Sequence, residues 1–489
     1  MSQWLGAILL VAGFVVLLQF LGVTKRSKDV VRISLHSIKI LGSSRLSDAQ
    51  KESKLQKNSL RLFGLFFVLA FCVAIAILIP LGVLWLGDRL GWLSLAASLE
   101  VTLSPTFIAA SSILVVIVFL LKSKQKPNRT APTSSYSPLD QTLHRVAFNT
   151  YTAQAALADL EDNIFARQLA KYKNEKPVFI TALPRAGTTL LLECCANSPE
   201  FAAHRYRDMP FVLVPCLWNR FSQVFQGHVE STERAHGDGM QISLDSHEAL
   251  EEIVWKTFWQ RHYQSDRIIP WDYEENREFK EFFASHQRKI LWLRRQNLAN
   301  SARYVSKNNA NIARPKILHY LFPDSTIIVP FRDPLQHSYS LLKQHLNFGQ
   351  IHQADPFASE YMKSIGHFDF GENLRPIDFD GWFDRRKTQD PKSLGFWLEY
   401  WTASYQHLLN ENNSLINFFD YDELCNNPHQ GLLNLAEIVE SCNPTALVSS
   451  ASRIHPSPPR EIEVSSLPAS ITSGANSVYA QLRDRSVNS

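Results

Sequence analysis

Residues 177–189 read PVFITALPRAGTT, and the architecture of the chain follows from how that segment folds. The β-branched and apolar run Val178, Phe179, Ile180, Thr181 predicts a buried strand, PRAGTT a tight turn, and the following LLLECCA a helix. A helix that starts on Thr188-Thr189 offers unpaired backbone N–H groups and the positive end of its dipole to an anion. Gly187 lets backbone approach a ligand closely, and two threonine hydroxyls and the Arg185 guanidinium add donors. A nucleoside-triphosphate loop requires GxxxxGK[ST]; here Ala182 replaces the first glycine and Thr188 the lysine. The segment reads as a phosphate loop that is poorly built for ATP.

Residues 322–345, FPDSTIIVPFRDPLQHSYSLLKQH, repeat that layout. Residues 325–331 predict a strand, Arg332-Asp333-Pro334 a turn, and the remainder a helix with Ser340 on its first turns. Two such units in a parallel sheet set Arg185 and Arg332 at carboxyl ends of strands, where open α/β sheets bind ligands. A third strand is expected over 415–421 (LINFFDY), followed by DELCNNP and a helix. Residues 246–259 (SHEALEEIVWKTFW) predict a helix capped by Ser246, and 276–309 a long basic helix ending in RYVSKNN. Residues 228–239 (HVESTERAHGDG) read as a polar loop, and no solenoid repeat is present.

The 489 residues carry a net charge of +4 with 20% charged side chains, which gives no support to nucleic-acid binding through a bulk basic surface. Six cysteines form no CxxC pair and no zinc spacing, so they read as reduced core residues. Three uncharged apolar runs, about 4–23, 62–86 and 102–121, have spanning length. The first has its basic cluster (Lys25, Arg26, Lys28) after the apolar run, unlike a signal peptide. Ten Lys/Arg lie in residues 24–61, only Arg89 between the second and third runs, and Lys122, Lys124, Lys126 and Arg129 after the third. The positive-inside rule then puts the N-terminus outside and everything beyond residue 121 in the cytoplasm. If the third and shortest run is instead a buried soluble helix, the rest of the chain changes sides. Residues 1–129 thus form an expected membrane region, 130–138 a Pro/Ser/Thr linker, and 139–489 an α/β domain opening with an amphipathic helix (Leu139 to Leu169). The tail from Ser449 reads either as a solvated basic segment or as one whose Arg453 and Arg460 close over a ligand.

These motifs resemble those of the P-loop sulfotransferases. TALPRAGTT is similar to that family's 5′-phosphosulfate loop in its PRSGTT branch, and VPFRDPLQHSYS to its 3′-phosphate signature, in which a serine stands eight residues after the arginine as Ser340 does after Arg332. FFDYDELCNNP is a weaker match to the segment after the last core strand. The resemblance covers roughly residues 175–440 and excludes the apolar runs. It implies a P-loop-like three-layer α/β domain with a parallel central sheet, and 3′-phosphoadenosine-5′-phosphosulfate (PAPS) as sulfuryl donor, with 3′,5′-ADP (PAP) as product. By this resemblance Arg185, Ala186, Gly187, Thr188 and Thr189 hold the 5′-phosphosulfate, and Arg332 and Ser340 the 3′-phosphate. In-line positioning and charge stabilisation serve such a transfer, with no metal expected. Arg185 would stabilise the leaving phosphate but is a poor proton donor.

The family also needs a base for the acceptor proton. Asp208 is the first candidate and His204 the second, with Glu251 and Glu252 behind them; the alternative is that Asp208 pairs with Arg205 or Arg207 structurally. His236 and Asp238 either contact acceptor or shape a loop, and Lys307 and Asn308 are candidates to reach donor or acceptor. The expected function is membrane-anchored sulfuryl transfer to a hydroxyl or amine of a carbohydrate or glycolipid. The expected setting is a bacterial inner membrane with the catalytic domain cytoplasmic, the bilayer as a partner, and no nucleic acid. The competing readings are a nucleotide-dependent kinase or NTPase and a non-catalytic membrane scaffold.

Overall fold

The computed structural model describes residues 2–104 (except 24–25, 28, 31–32, 34–36 and 38–47), 107, 138–222, 232–233, 241–242, 246–295, 302–411, 416–456, 458–465 and 467–488. The chain divides into two units, Met1–Arg129 and Thr130–Ser489.

In the first unit, helices span Ser2–Phe20, Asp48–Arg89 and Leu95–Leu103. Among the described residues one helix, Lys54–Arg89, is long and apolar enough to cross a membrane. Its outer face exposes Phe63, Phe66, Phe71, Leu78 and Val83, a surface suited to lipid. The first apolar run falls on Ser2–Phe20. That helix meets its neighbours through small residues: a Cβ on Gly6 would lie 2.2 Å from Ser98 Oγ. Most of the third run, 102–121, lies outside the described residues.

In the second unit the strands are β1 (Val178–Ile180), β2 (Phe201–Ala202), β3 (Thr232–Glu233), β4 (Gln241–Ile242), β5 (Arg303–Lys307), β6 (Thr326–Phe331) and β7 (Asn417–Asp420). Five of them form a parallel sheet in the order β2-β5-β1-β6-β7. Alternate residues feed opposite sides of it. Phe179, Tyr304, Ile327 and Val329 join Trp255, Phe283 and Trp401 on one face, while Val178, Ile180, Val305 and Ile328 join Leu191, Leu432 and Leu435 on the other. Both faces are covered, which is why these strands are nearly continuous apolar runs. Each large side chain so buried contributes about 1.5–3 kcal/mol relative to exposure.

Several local expectations are corrected. RYVSK is not a helix end but β5, in the sheet interior, where Tyr304 and Val305 are buried on opposite faces; the helix before it is Arg277–Arg294, capped by Asn276. Ser246 is not the cap of the helix, which runs from Glu252 to Phe258: its carbonyl accepts from Tyr206 N at 3.1 Å, and pairing with the 204–206 backbone holds residues 246–248 extended. The opening amphipathic stretch breaks at Asn149-Thr150 into Pro138–Phe148 and Tyr151–Ile164, followed by Ala166–Leu169. The tail is not merely solvated, since the helix Ala469–Asp484 buries Ile471, Ala475, Val478 and Leu482. Part of the predicted polar loop forms β3, which pairs with β4 just beyond it; His236 and Asp238 lie outside the described residues. All six cysteines are free, five of them buried.

Candidate functional site

β1 ends at Ile180, and the chain turns through Leu183–Gly187 into the helix Thr188–Asn197. The turn needs two left-handed residues, Arg185 at φ +70° and Gly187 at +96°. Gly187 has a second constraint, because a Cβ there would lie 2.1 Å from the Tyr421 ring. No side chain caps the first turn of the helix, so its leading N–H groups face the loop without that partner. Arg185, a residue type that rarely adopts this backbone region, is held there from two sides. His337 Nε2–H donates to the Pro184 carbonyl at 2.7 Å, and Arg332 Nη1 donates to the Arg185 carbonyl at 3.3 Å.

The turn after β6 therefore supports the turn after β1. Arg185 Nε reaches Ser340 Oγ at 3.4 Å, so the two arginines and the serine come together. Arg332 also pairs through Nε with Asp422 at 3.4 Å and stacks over Tyr421 at 5.0 Å. Its Nη2 has no partner among the described residues. Asp333 N donates to Asp422 and the Asp333 carboxylate caps the helix Pro334–Ala354. Tyr421 and Asp422 open the helix Tyr421–Asn426 directly after β7, so the third, weaker motif closes the site from the sheet edge. Arg460 is tied to the helix Pro334–Ala354: its backbone exchanges two hydrogen bonds with the Gln336 side chain, and its guanidinium sits 5.8 Å from the Tyr339 ring centre.

His337 is fully buried, and its protonation is readable from its partners. Trp401 Nε1–H can only donate and reaches Nδ1 at 3.1 Å, so Nε2 carries the proton that goes to Pro184. Burial lowers its pKa to about 3, which leaves it neutral at pH 7.

On the other side of the loop, β5 leads to Asn308 and Asn309. Asn309 Oδ1 accepts from Thr188 Oγ1 at 3.4 Å, and its side chain hydrogen-bonds Asp369. Asn308 donates to Glu252 at 2.8 Å, and Glu252 takes two hydrogen bonds from the fully buried Arg314. Glu251 is saturated by Trp255, Tyr304 and Asn311. Both glutamates, expected as reserve bases, are thus engaged in a structural network beside the site. Pro184, Asn308, Asn309, His367, Asp369 and Arg375 line one narrow pocket of about 30 Å³, whose walls include Phe368, Trp397 and Tyr400. Burial lowers the His367 pKa and raises that of Asp369. The Ala249 carbonyl, 3.4 Å from His367 Nε2, can only accept, so Nε2 carries the proton and Nδ1 the lone pair.

Asp208 and His204 are placed elsewhere. Both are buried; Asp208 accepts from Arg205 N at 2.9 Å and His204 Nδ1 at 3.2 Å and is ion-paired with Arg294, while His204 stacks on His286. Burial alone would raise the Asp208 carboxyl, but Arg294, His204 and the Arg205 N–H hold it well below the usual carboxylate range. A carboxylate so stabilised as an anion is a poor proton acceptor. Asp208 and His204, expected as the base, thus sit in a buried ion-paired cluster in which Arg294 is a cation. Among the described residues no group of three or more His, Cys, Asp or Glu is placed to hold a metal ion.

Sequence reading missed His337, Tyr421, Asn309, His367 and Arg375. For His337 and Tyr421 a local signal existed, since both sit within a few residues of a motif; the 366–377 wall offered none.

Residues 177–368 match the model of the Sulfotransferase family. A comparison with curated proteins returns no match. Among solved structures the chain is similar to sulfotransferase STF9 from Mycobacterium avium (12% identity, 72% of this chain and 87% of that one, TM-score 0.39). It is also similar to STF1 from Mycobacterium tuberculosis H37Rv (11%, 70% and 85%, TM-score 0.36) and to the sulfotransferase domain from the curacin biosynthetic pathway (14%, 64% and 98%, TM-score 0.28). These overlaps are loose, and the parallel α/β fold stands on the strand pairing itself. Over residues 177–368 the chain is similar to the sulfotransferase family.

Proposed function

We propose that the protein transfers a sulfuryl group from PAPS to an acceptor hydroxyl (or amine) and releases 3′,5′-ADP. The observation that carries this reading is the pair of arginine-bearing strand ends in mutual contact, Arg332 on the Arg185 carbonyl and Arg185 on Ser340. A nucleotide phosphorylated at both its 3′ and 5′ positions needs two linked anion sites. In this reading Arg185, Ala186, Gly187, Thr188 and Thr189 hold the 5′-phosphosulfate with the helix N–H groups, while Arg332 and Ser340 hold the 3′-phosphate. The acceptor oxygen attacks sulfur, the bond from sulfur to the bridging phosphate oxygen breaks, and 3′,5′-ADP leaves with that electron pair. Arg185 balances the charge on the departing phosphate.

His367 Nδ1 takes the acceptor proton. What supports it is the shared pocket with Pro184 of the loop, the neutral state that burial favours, and the chain of contacts Thr188–Asn309–Asp369 joining loop and pocket wall. A membrane-anchored enzyme acting on a carbohydrate or glycolipid, with its domain in the cytoplasm of a bacterial cell, remains the setting we propose. The Lys54–Arg89 helix and the basic residues flanking the apolar runs support it. Incubating the detergent-solubilised full chain with sulfur-labelled PAPS and an acceptor panel tests the reaction. Label should move to an acceptor, and far less of it with His367→Gln; no transfer to any acceptor together with no binding of 3′,5′-ADP overturns the reading.

A further inference from the structure

We propose that the acceptor carries an anionic group of its own, a carboxylate or phosphate, and that Arg375 in the pocket wall binds it. This inference rests on the sulfuryl-transfer reading for the word acceptor, but the anion site stands on separate observations.

Arg375 lines the same pocket as Pro184, His367 and Asp369. Its guanidinium lies 4.4 Å from the centre of the Phe368 ring, and its backbone N–H is bonded to the Phe368 carbonyl at 2.8 Å, so its base is fixed. Among the described residues its side chain has no carboxylate partner and no hydrogen-bond acceptor. The contrast with Arg267 is sharp, since that side chain takes Asp266, Asp378 and Asp384 at 3.3, 3.1 and 2.8 Å. Asp266 acts on Arg375 only at a distance, being bound to Arg267.

A second cation shares the ring. Lys256 Nζ sits 5.5 Å from the Phe368 centre and donates to the Lys363 and Ser364 carbonyls at 2.6 and 2.8 Å. Burial lowers its pKa to about 8, with Glu252 opposing that shift and Arg375 adding to it. Burial also lowers Arg375. Two cations held on one aromatic side chain, each unfavourable to the other and one with all its fork donors unused, form a site that an anion completes. The donor's own phosphates are served by the loop and by Arg332 and Ser340, so the unused guanidinium falls to the acceptor. Carboxylate and phosphate both accept a forked pair of hydrogen bonds from arginine.

The test is calorimetric titration of the full chain, preloaded with 3′,5′-ADP, with two pairs of probes: glucuronate against glucose, and 4-hydroxyphenylacetate against 2-(4-hydroxyphenyl)ethanol. In at least one pair the anionic member should bind about tenfold or more tighter. That preference should fall to about twofold or less in Arg375→Gln and return in part in Arg375→Lys, with 3′,5′-ADP affinity unchanged in both. No preference in either pair, no binding of either anion, or a preference that survives in Arg375→Gln overturns the proposal. The wild-type comparison decides the matter even if a variant folds poorly. Failure of 3′,5′-ADP to bind, with the Arg375-dependent preference intact, overturns the sulfuryl-transfer reading and leaves the anion site standing.

Discussion

Arg332 Nη1 donates to the backbone carbonyl of Arg185 at 3.3 Å, so one anion-binding turn physically holds the other in place. The contact explains how a non-glycine residue stays at φ +70° in the loop. In the proposed reading it also makes the two ends of the nucleotide interdependent. Arg332→Ala should therefore weaken 3′,5′-ADP binding by more than one phosphate contact, roughly tenfold or greater. Arg332→Lys should recover only part, because a lysine cannot serve the carbonyl and a phosphate with one planar fork. Titration calorimetry reads both; an unchanged dissociation constant in Arg332→Ala contradicts the bridge.

Gly187 is constrained twice over, by its φ of +96° and by the Tyr421 ring 2.1 Å from where a Cβ would stand. Gly187→Ala should lower the melting temperature and remove 3′,5′-ADP binding. Adding Tyr421→Ala should restore some stability by opening space, but the positive φ leaves a residual cost of about 1 kcal/mol or more. Full rescue by the double variant would show that backbone conformation is irrelevant there.

His337 makes a signed pH prediction. Its folded pKa of about 3 lies below the ordinary value of 6.5, so the unfolded chain binds the extra proton first as pH falls. The stability it contributes is whole above pH 6.5 and declines from there toward pH 3, by up to about 1.4 kcal/mol per pH unit. His345 and His352 are also lowered by burial, and each accepts a backbone N–H, from Gly371 and Glu372, so they titrate in the same direction. Denaturant titrations between pH 7 and 4 should show a shallower loss in His337→Gln than in the native chain. An identical slope would mean that His337 is not buried neutral.

Asp208 and His367 should separate cleanly. Asp208→Asn breaks a buried pair with Arg294 and should cost about 3–5 kcal/mol of stability, with turnover per folded molecule little changed. His367→Gln should leave the melting temperature within a few degrees and cut turnover by about 10²–10⁴-fold. The reverse pattern would return the base to Asp208.

How far the sequence reaches depends on whether a feature is local. β1 with its turn and β6 with its turn each occupy one contiguous stretch, so strand, arginine and helix start are all readable there. β5 was hidden because RYVSK follows a strongly helical basic segment, and only pairing with β1 and β2 makes it a strand. The fate of Asp208 is set by Arg294, 86 residues away, which no local pattern announces. The pocket wall is similarly assembled from 249–252, 308–310 and 366–377. Tyr421 follows β7 directly, yet its role at Gly187 depends on a strand edge two places across the sheet.

The central claim is that the paired turns hold a nucleotide phosphorylated at both its 3′ and 5′ positions. Side-by-side titration of the full chain with 3′,5′-ADP and with magnesium-ATP tests it most directly. The expected result is 3′,5′-ADP binding about tenfold or more tighter than ATP, lost on Arg185→Ala and on Arg332→Ala alike. Tighter binding of ATP that requires magnesium and ignores Arg332 would contradict it.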